Sequence, residues 1–214
     1  MAADLVVLYE DDALLVLDKP AGLLSVPGRG EDKQDCLSIR AQAHRADALV
    51  VHRLDMATSG LMLMARGKLA QQTLSRAFAK RQVNKTYVAL VHGRLAATPR
   101  DAWGVINLAI ALDWPNRPRS IVRAEGGRAS TTRWRVLSAP DTSHTRVELE
   151  PVTGRSHQLR VHMLAIGHPI VGDQLYTPPS MLDGAARLML HATHIGFAHP
   201  VTARLMVFSS APDF

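Results

Sequence analysis

The residues His52-Arg53-Leu54-Asp55, followed by the small-residue stretch Met56-Ala57-Thr58-Ser59-Gly60, form the most unusual local arrangement in the chain. They set a carboxylate in a loop at the end of an apolar run and at the edge of a cationic segment. Residues 56–100 hold 8 basic and no acidic side chains, residues 1–55 hold 6 basic and 10 acidic ones, and residues 101–214 hold 11 and 9. A lone carboxylate facing a cationic wall stays ionised and can serve as a nucleophile or a general base. The alternative is an aspartate that caps its own turn, as aspartate often does in loops.

The charge distribution also bears on the partner. Soluble surfaces normally mix both signs, so a 45-residue stretch without a carboxylate points to a side that faces a polyanion. Arginine supplies 20 of the 25 cations, and its planar fork bonds phosphates bidentately. A GC-rich genome would raise arginine everywhere, but it would not remove Asp and Glu from one segment.

The elements that must position these groups follow from the apolar pattern. Leu5–Tyr9 and Leu14–Asp18 read as a strand pair around a polar turn, and Lys19–Gly30 as a long irregular loop rich in Gly and Pro. Val50–Val51 and Leu61–Ala65 read as buried strands on either side of the His52–Gly60 stretch. Ala70, Leu74, Ala77 and Phe78 recur at helical spacing over Lys68–Arg81, leaving Lys68, Arg76, Lys80 and Arg81 on the other face. Tyr87–Val91 reads as a strand, Trp103–Arg123 as irregular, and Thr131–Leu137 with Arg146–Pro151 as antiparallel strands. Ser156–Ile166 is predicted helical, capped by Thr153 and ended by Gly167, and Leu188–His191 and Leu205–Ser209 close the chain as strands. Strands outnumber helices and neighbours are often hairpin-connected, which predicts an α+β fold with a mixed, mainly antiparallel sheet.

The 214 residues, with 47% hydrophobic and 21% charged side chains, suit one folded domain and exclude disorder as the main state. A single cysteine, Cys36, leaves no internal disulfide, which fits a reducing, cytoplasmic setting. No signal-like segment opens the chain, and no apolar run reaches the roughly 18 residues a membrane span needs. Ten histidines invite a metal reading. His157 and His162 fall on different faces of the predicted helix, however, and His191 and His194 on opposite faces of a strand. There is no Cys pair and no H-E-x-x-H pattern, so no metal is expected.

Five motifs then appear in order: His52-Arg53-Leu54-Asp55; Lys85-Thr86-Tyr87; Thr153-Gly154-Arg155-Ser156-His157-Gln158-Leu159-Arg160; His168-Pro169-Ile170-Val171-Gly172-Asp173; and Leu190-His191-Ala192. Together they closely resemble the RluA-type pseudouridine synthases, from about Leu5 to the end of the chain. Leu24-Ser25-Val26-Pro27-Gly28 and Asp113-Trp114-Pro115-Asn116-Arg117-Pro118 resemble the branch of that family that acts on both 23S ribosomal RNA and transfer RNA. The one small departure is Ser156, where many relatives have Thr; both supply a hydroxyl at the helix start.

The resemblance implies a bent sheet flanked by helices with a central catalytic cleft, and a single catalytic domain over 1–214 with no separate N-terminal RNA-binding domain. It implies isomerisation of uridine to pseudouridine, a reaction without redox change or group loss and hence without cofactor or metal. Asp55 falls on the catalytic aspartate; attack on the base, attack on the sugar and deprotonation of the sugar all stay open for it. Tyr87 falls on the tyrosine that stacks on uracil and helps remove the C5 proton, and Arg155 on the arginine that pairs with the aspartate. A uridine in structured RNA must leave its stack to reach a carboxylate, and Arg53 is expected to fill the vacated space. His52 of the same motif is expected at the RNA, and Lys85 at the flipped nucleotide's phosphate, with a solvated lysine as its alternative. The basic face with Arg76, Lys80 and Arg81, and the segment Arg117–Arg135 with Arg117 and Arg119, would line the rim; a solvated hairpin is the alternative for the latter. His157 and His191 match motif positions with structural roles.

The expected partners are thus 23S rRNA and a tRNA anticodon stem-loop, with no membrane, for a monomeric enzyme recognising RNA mostly by shape. The rivals are the same chemistry on another uridine, a non-catalytic RNA-binding protein, and a metal-assisted phosphodiesterase built on the histidines.

Overall fold

The alternation of apolar runs and breakers resolves, in a computed structural model that describes residues 5–96, 102–139, 141–182 and 184–214, into twelve strands and three α-helices among those residues. In chain order they are β1 (Val6–Glu10), β2 (Leu14–Lys19), α1 (Leu37–His44), β3 (Ala48–Val50), β4 (Ser59–Arg66), α2 (Lys68–Ala79) and β5 (Asn84–His92). There follow β6 (Gly104–Asn107), β7 (Ile110–Leu112), β8 (Ser120–Val122), β9 (Thr131–Ser138), β10 (His144–Pro151), α3 (Gln158–Ala165), β11 (Leu190–Ala198) and β12 (Leu205–Ser209). Contacts group the chain into two compact units, Met1–Lys85 with His191–Asp213, and Thr86–Leu190 with Phe214.

In the first unit β1 and β2 form the expected antiparallel hairpin, and β2 and β3 both pair antiparallel with β4. β11 runs parallel to β4 and carries β12 antiparallel on its other side, so the sheet is mixed but mainly antiparallel. Residues Ser59–Ala65 of β4 are all buried, which is why they read as an unbroken apolar run rather than an alternation. α2 seats Ala70 and Leu74, with Ala77 and Phe78, on Leu14, Val16, Leu61, Leu63, Ile195 and Phe197. Each such aliphatic side chain contributes roughly 1.5–3 kcal/mol by leaving water, which makes this layer the anchor of β4. Where β4 meets β11, a Cβ on Gly60 would lie 2.4 Å from the Ala192 carbonyl oxygen, and its φ is +104°; only glycine permits this approach.

In the second unit β5, β10, β9 and β6 form an antiparallel run. The register sets Tyr87, Leu149, Trp134 and Gly104 in one row across the four strands, on one face. A Cβ on Gly104 would sit 2.3 Å from the Trp134 ring, so glycine leaves the space that the indole fills. Arg133 and Arg135 lie on the opposite face, paired with Glu150 and Glu148. β7 and β8 form a separate two-stranded sheet.

Three expectations need correction. Trp103–Arg123 is not irregular: it holds β6, β7 and β8, and its Pro-rich centre is the turn of the β7–β8 hairpin. Thr153 does not cap α3, whose N-cap is His157; its hydroxyl accepts from the Thr131 N–H and donates to Gln158 Oε1, tying the loop to β9. α1 is an additional helix, whose short, weakly amphipathic sequence gives no helical signal. Gly167 does end α3, at φ +86°, its N–H on the Leu164 carbonyl.

The second unit also contains a fully buried ion pair. Arg160 Nε and Nη2 donate to Asp173 Oδ2 and Oδ1, each at 2.7 Å, and Asp173 also accepts from the Leu175 and Tyr176 N–H groups. Removing one partner leaves the other charge buried and uncompensated. Arg160→Met is expected to lower stability in urea by about 3–5 kcal/mol, and Arg160→Met with Asp173→Asn, which removes the stranded charge but keeps an acceptor for the Leu175 and Tyr176 N–H groups, to recover part of that loss.

Candidate active site

The aspartate of the first motif sits in a turn whose Asp55 carbonyl accepts the Thr58 N–H at 3.1 Å. The loop expected to be merely irregular, Lys19–Gly30, holds this turn on both sides. Ser25 Oγ, buried, accepts the Leu54 N–H at 3.1 Å and donates to the Leu54 carbonyl at 2.7 Å. The Met56 carbonyl accepts the Gly22 N–H at 2.9 Å and Lys19 Nζ at 3.0 Å. Lys19 is completely buried, and its ammonium also donates to the carbonyls of Pro20 and Leu23 at 2.9 and 2.7 Å. Burial lowers its pKa to about 8, while the Asp55 carboxylate acts in the opposite direction and favours the charged form.

Beyond the turn, β4 begins at Ser59, whose Oγ lies 2.8 Å from His191 Nδ1. His191 Nε2 lies 3.1 Å from Ser210 Oγ, and Ser210 donates to Asp18 Oδ2 at 2.6 Å. A single proton order satisfies this chain, with Ser59 donating to Nδ1 and Nε2–H donating to Ser210. His191 therefore joins β2, β4, β11 and the residue after β12, the structural role its motif implied.

His52 and Lys85 converge on Phe78 of α2: the imidazole stacks at 4.4 Å and Lys85 Nζ stands 5.7 Å from the ring centroid. His52 Nε2 accepts the Leu63 N–H at 2.9 Å, so the ring is neutral and locks the motif to β4. That bond gives His52 a packing role alongside the RNA contact expected of it. Burial, with Lys85 adding to it, lowers the His52 pKa to about 3, and burial lowers that of Lys85 as well. Arg53 is exposed, as are Arg76, Lys80 and Arg81 in and just after α2.

In the second unit Tyr87 stands on β5 opposite Leu149. Arg155 lies in the loop between β10 and α3, which Gln158 organises. Gln158 Oε1 accepts from Thr153 Oγ1 at 2.7 Å and from the Arg155 N–H at 3.1 Å. Its Nε2 donates to the Thr131 carbonyl and to Thr132 Oγ1 at 2.9 and 3.0 Å. Arg155 Nη2 reaches the Ala129 carbonyl at 3.4 Å, and its Nε is buried without a hydrogen-bond partner among the described residues. His157 takes a left-handed φ of +55° next to this loop and bonds the Tyr176 hydroxyl at 2.7 Å.

The expected arginine rim is smaller than Arg117–Arg135. Arg133 and Arg135 are neutralised by Glu150 and Glu148 and covered by Trp103, whose ring lies 4.7 and 4.8 Å from their guanidinium carbons. Arg117 and Arg119 remain exposed, on the β7–β8 hairpin. Of the two histidines in the predicted helix Ser156–Ile166, His162 is buried between Thr132 Oγ1 and the Leu108 carbonyl, and burial lowers its pKa. The structure thus adds Lys19, Ser25, Gln158 and Asp173 to the residues that sequence reasoning singled out. Ser25, Gln158 and Asp173 lie in the motifs Leu24–Gly28, Thr153–Arg160 and His168–Asp173, whereas Lys19 lies in none.

Residues 13–165 match the family of RNA pseudouridylate synthases, and the chain belongs to that family. Among curated proteins it is similar to the dual-specificity RNA pseudouridine synthase RluA of Escherichia coli strain K12, at 46% identity over 98% of this chain and 94% of that one. RluA of Haemophilus ducreyi is 45% identical over 96% of this chain and 92% of its own length. Among solved structures, human RNA pseudouridylate synthase domain containing 1 superposes with a TM-score of 0.78 at 28% identity, covering 99% of this chain and 84% of that one. Its relative domain containing 4 gives 0.74 at 25% identity, covering 97% and 88%. No helix among the described residues is long and apolar enough to cross a membrane.

The neutral His52 generates a pH prediction. Its folded pKa lies below its unfolded value of 6.5, so the unfolded chain takes up the proton first. Its contribution to stability is whole above pH 6.5 and is lost as the pH falls toward 3. Wild type is expected to lose about 2 kcal/mol more than His52→Gln between pH 7 and pH 4.5, measured by urea unfolding.

Proposed function

We propose that this chain converts uridine to pseudouridine in both 23S ribosomal RNA and the anticodon stem-loop of transfer RNA. The likeness to dual-specificity synthases at 46% identity along nearly the whole of both chains is the observation that carries this reading. The reaction breaks the bond from ribose C1′ to uracil N1, turns the base, and joins C1′ to C5. The C5 proton is lost and N1 gains one, so atoms and electrons balance without an added reagent.

In this reading Asp55 is the nucleophile or base, and the Lys19–Ser25 loop supports the role by fixing the turn that presents it. Tyr87 stacks on the uracil and assists removal of the C5 proton. Arg155 pairs with Asp55, a role favoured by its buried, unpartnered Nε. Arg53, exposed at the head of the turn, fills the place of the flipped base. Lys85 meets that nucleotide's phosphate, and Arg76, Lys80, Arg81, Arg117 and Arg119 hold the phosphates around it. Residues 1–214 work as one catalytic domain, as a monomer in the cytoplasm, with no metal or cofactor.

Tritium release from C5-labelled uridine tests this on a tRNA anticodon stem-loop and a 23S transcript. Wild type is expected to release label from both. Asp55→Asn is expected to lose at least about a thousandfold in rate while binding both RNAs within about threefold of wild type. Release from one RNA alone would narrow the substrate range, and a fully active Asp55→Asn would overturn the assignment of Asp55.

A further inference from the structure

One aromatic side chain has no work in the fold. Trp114 stands at the tip of the β7–β8 hairpin and is 65% exposed. One face of its indole is covered by the Arg117 guanidinium, 4.6 Å from the ring. The tip is nonetheless rigid. The Asp113 N–H donates to the Arg119 carbonyl at 2.9 Å, the Arg119 N–H to the Asn116 carbonyl at 3.0 Å, and the Asn116 N–H to the Asp113 carbonyl at 3.1 Å. Asn116 Nδ2 also donates to Asp113 Oδ2 at 3.0 Å, which occupies the one carboxylate of the tip.

Trp103 provides the contrast. It also lies against arginines, but those are paired with glutamates on a sheet face, a closed arrangement that contributes to packing. At Trp114 the same pair of chemistries is presented to solvent, with Arg117, Arg119 and Arg123 exposed on the same hairpin. A flat aromatic face beside exposed guanidinium groups that pair with no carboxylate among the described residues suits an unpaired base with phosphates on either side.

We propose that Trp114 is a stacking platform for an unpaired base of the substrate RNA, separate from the uridine that reacts. The proposal rests on the reading of the chain as an enzyme acting on structured RNA, and names a further contact for that substrate. The rung of the hairpin next to the tip, Leu112 opposite Ser120, gives the platform a second property. Tyr176 is buried, and its hydroxyl accepts the Ser120 N–H at 2.8 Å and bonds His157 Nδ1 at 2.7 Å, while Arg119 lies 5.5 Å over its ring. His157 is two residues from Arg155. A base held on Trp114 is therefore held at a fixed distance from the loop that carries Arg155, so the hairpin measures where the RNA loop sits.

The test compares Kd values of the full chain for an anticodon-type stem-loop and for the same stem closed as a fully paired duplex. Trp114→Ala is expected to weaken stem-loop binding on the order of tenfold and to leave duplex binding unchanged. Trp114→Phe, which keeps a ring, is expected to restore most of the affinity, and Trp114→Leu, which keeps bulk alone, none of it. Wild-type affinity of Trp114→Ala for the stem-loop would overturn the proposal, as would equal weakening on both RNAs or full rescue by leucine. Tritium release by the wild type, run alongside, separates this from the functional reading. Its absence from every RNA would sink that reading, whereas release with an unaltered Kd in Trp114→Ala would sink the stacking platform alone.

Discussion

A buried ammonium must find acceptors, and Lys19 finds all of its described ones in backbone carbonyls: Pro20 and Leu23 from its own loop, and Met56 from the turn of Asp55. Taking that charge out of water is costly, and the bonds offset the cost only if the two loops stay together. The requirement fixes the turn from one side, and Ser25 fixes it from the other by bonding both the N–H and the carbonyl of Leu54. The ammonium also places a positive charge in the field of Asp55. A carboxylate meant to meet one atom of a substrate needs a backbone that does not wander, and here the order comes from polar bonds inside loops rather than from a helix or strand.

The second unit solves the same problem with a neutral side chain. Gln158 uses its amide oxygen to hold the start of the Arg155 loop and its amide nitrogen to hold β9, so the arginine's backbone is fixed before its guanidinium does anything. The left-handed His157 and the unpaired Arg155 Nε are both unfavourable for stability. Strain and unmet donors of this kind persist where the surroundings over-determine them, and they concentrate at working sites. Behind them the buried Arg160–Asp173 pair and the His162 bonds keep α3 in place.

Legibility in the sequence followed the source of order in each element. β2 and β4 are apolar runs buried in a sheet interior, α2 has a clean apolar stripe, and β9 and β10 alternate; each was readable because burial alone decides it. β6, β7 and β8 are three or four residues long, too short for a periodic signal; β6 also depends on β9, far along the chain, and the β7–β8 turn is hidden among prolines and polar residues. Asp55 stood out from charge and loop composition, though a turn cap explained those features as readily until the motif resemblance was added. Tyr87 and Arg155 came only from resemblance, because a strand tyrosine and a loop arginine carry no local signal of chemistry. Lys19, ahead of Pro20 and Gly22, reads as the start of an irregular loop, and its burial becomes visible only once the Met56 carbonyl is folded onto it. The bond from the Leu63 N–H to the His52 ring likewise becomes visible only once β4 is in place.

The account depends most on the Lys19 ammonium holding the Asp55 turn, and amide hydrogen exchange reads this directly. The Gly22 and Thr58 N–H groups, bonded to the Met56 and Asp55 carbonyls, are predicted to exchange slowly in the wild type. In Lys19→Met they are predicted to exchange at least about tenfold faster, while the Val147 and Leu149 amides of β10 keep their protection. Equal protection of Gly22 and Thr58 in the two proteins would contradict the account, for the turn would then owe its order to something other than the buried charge.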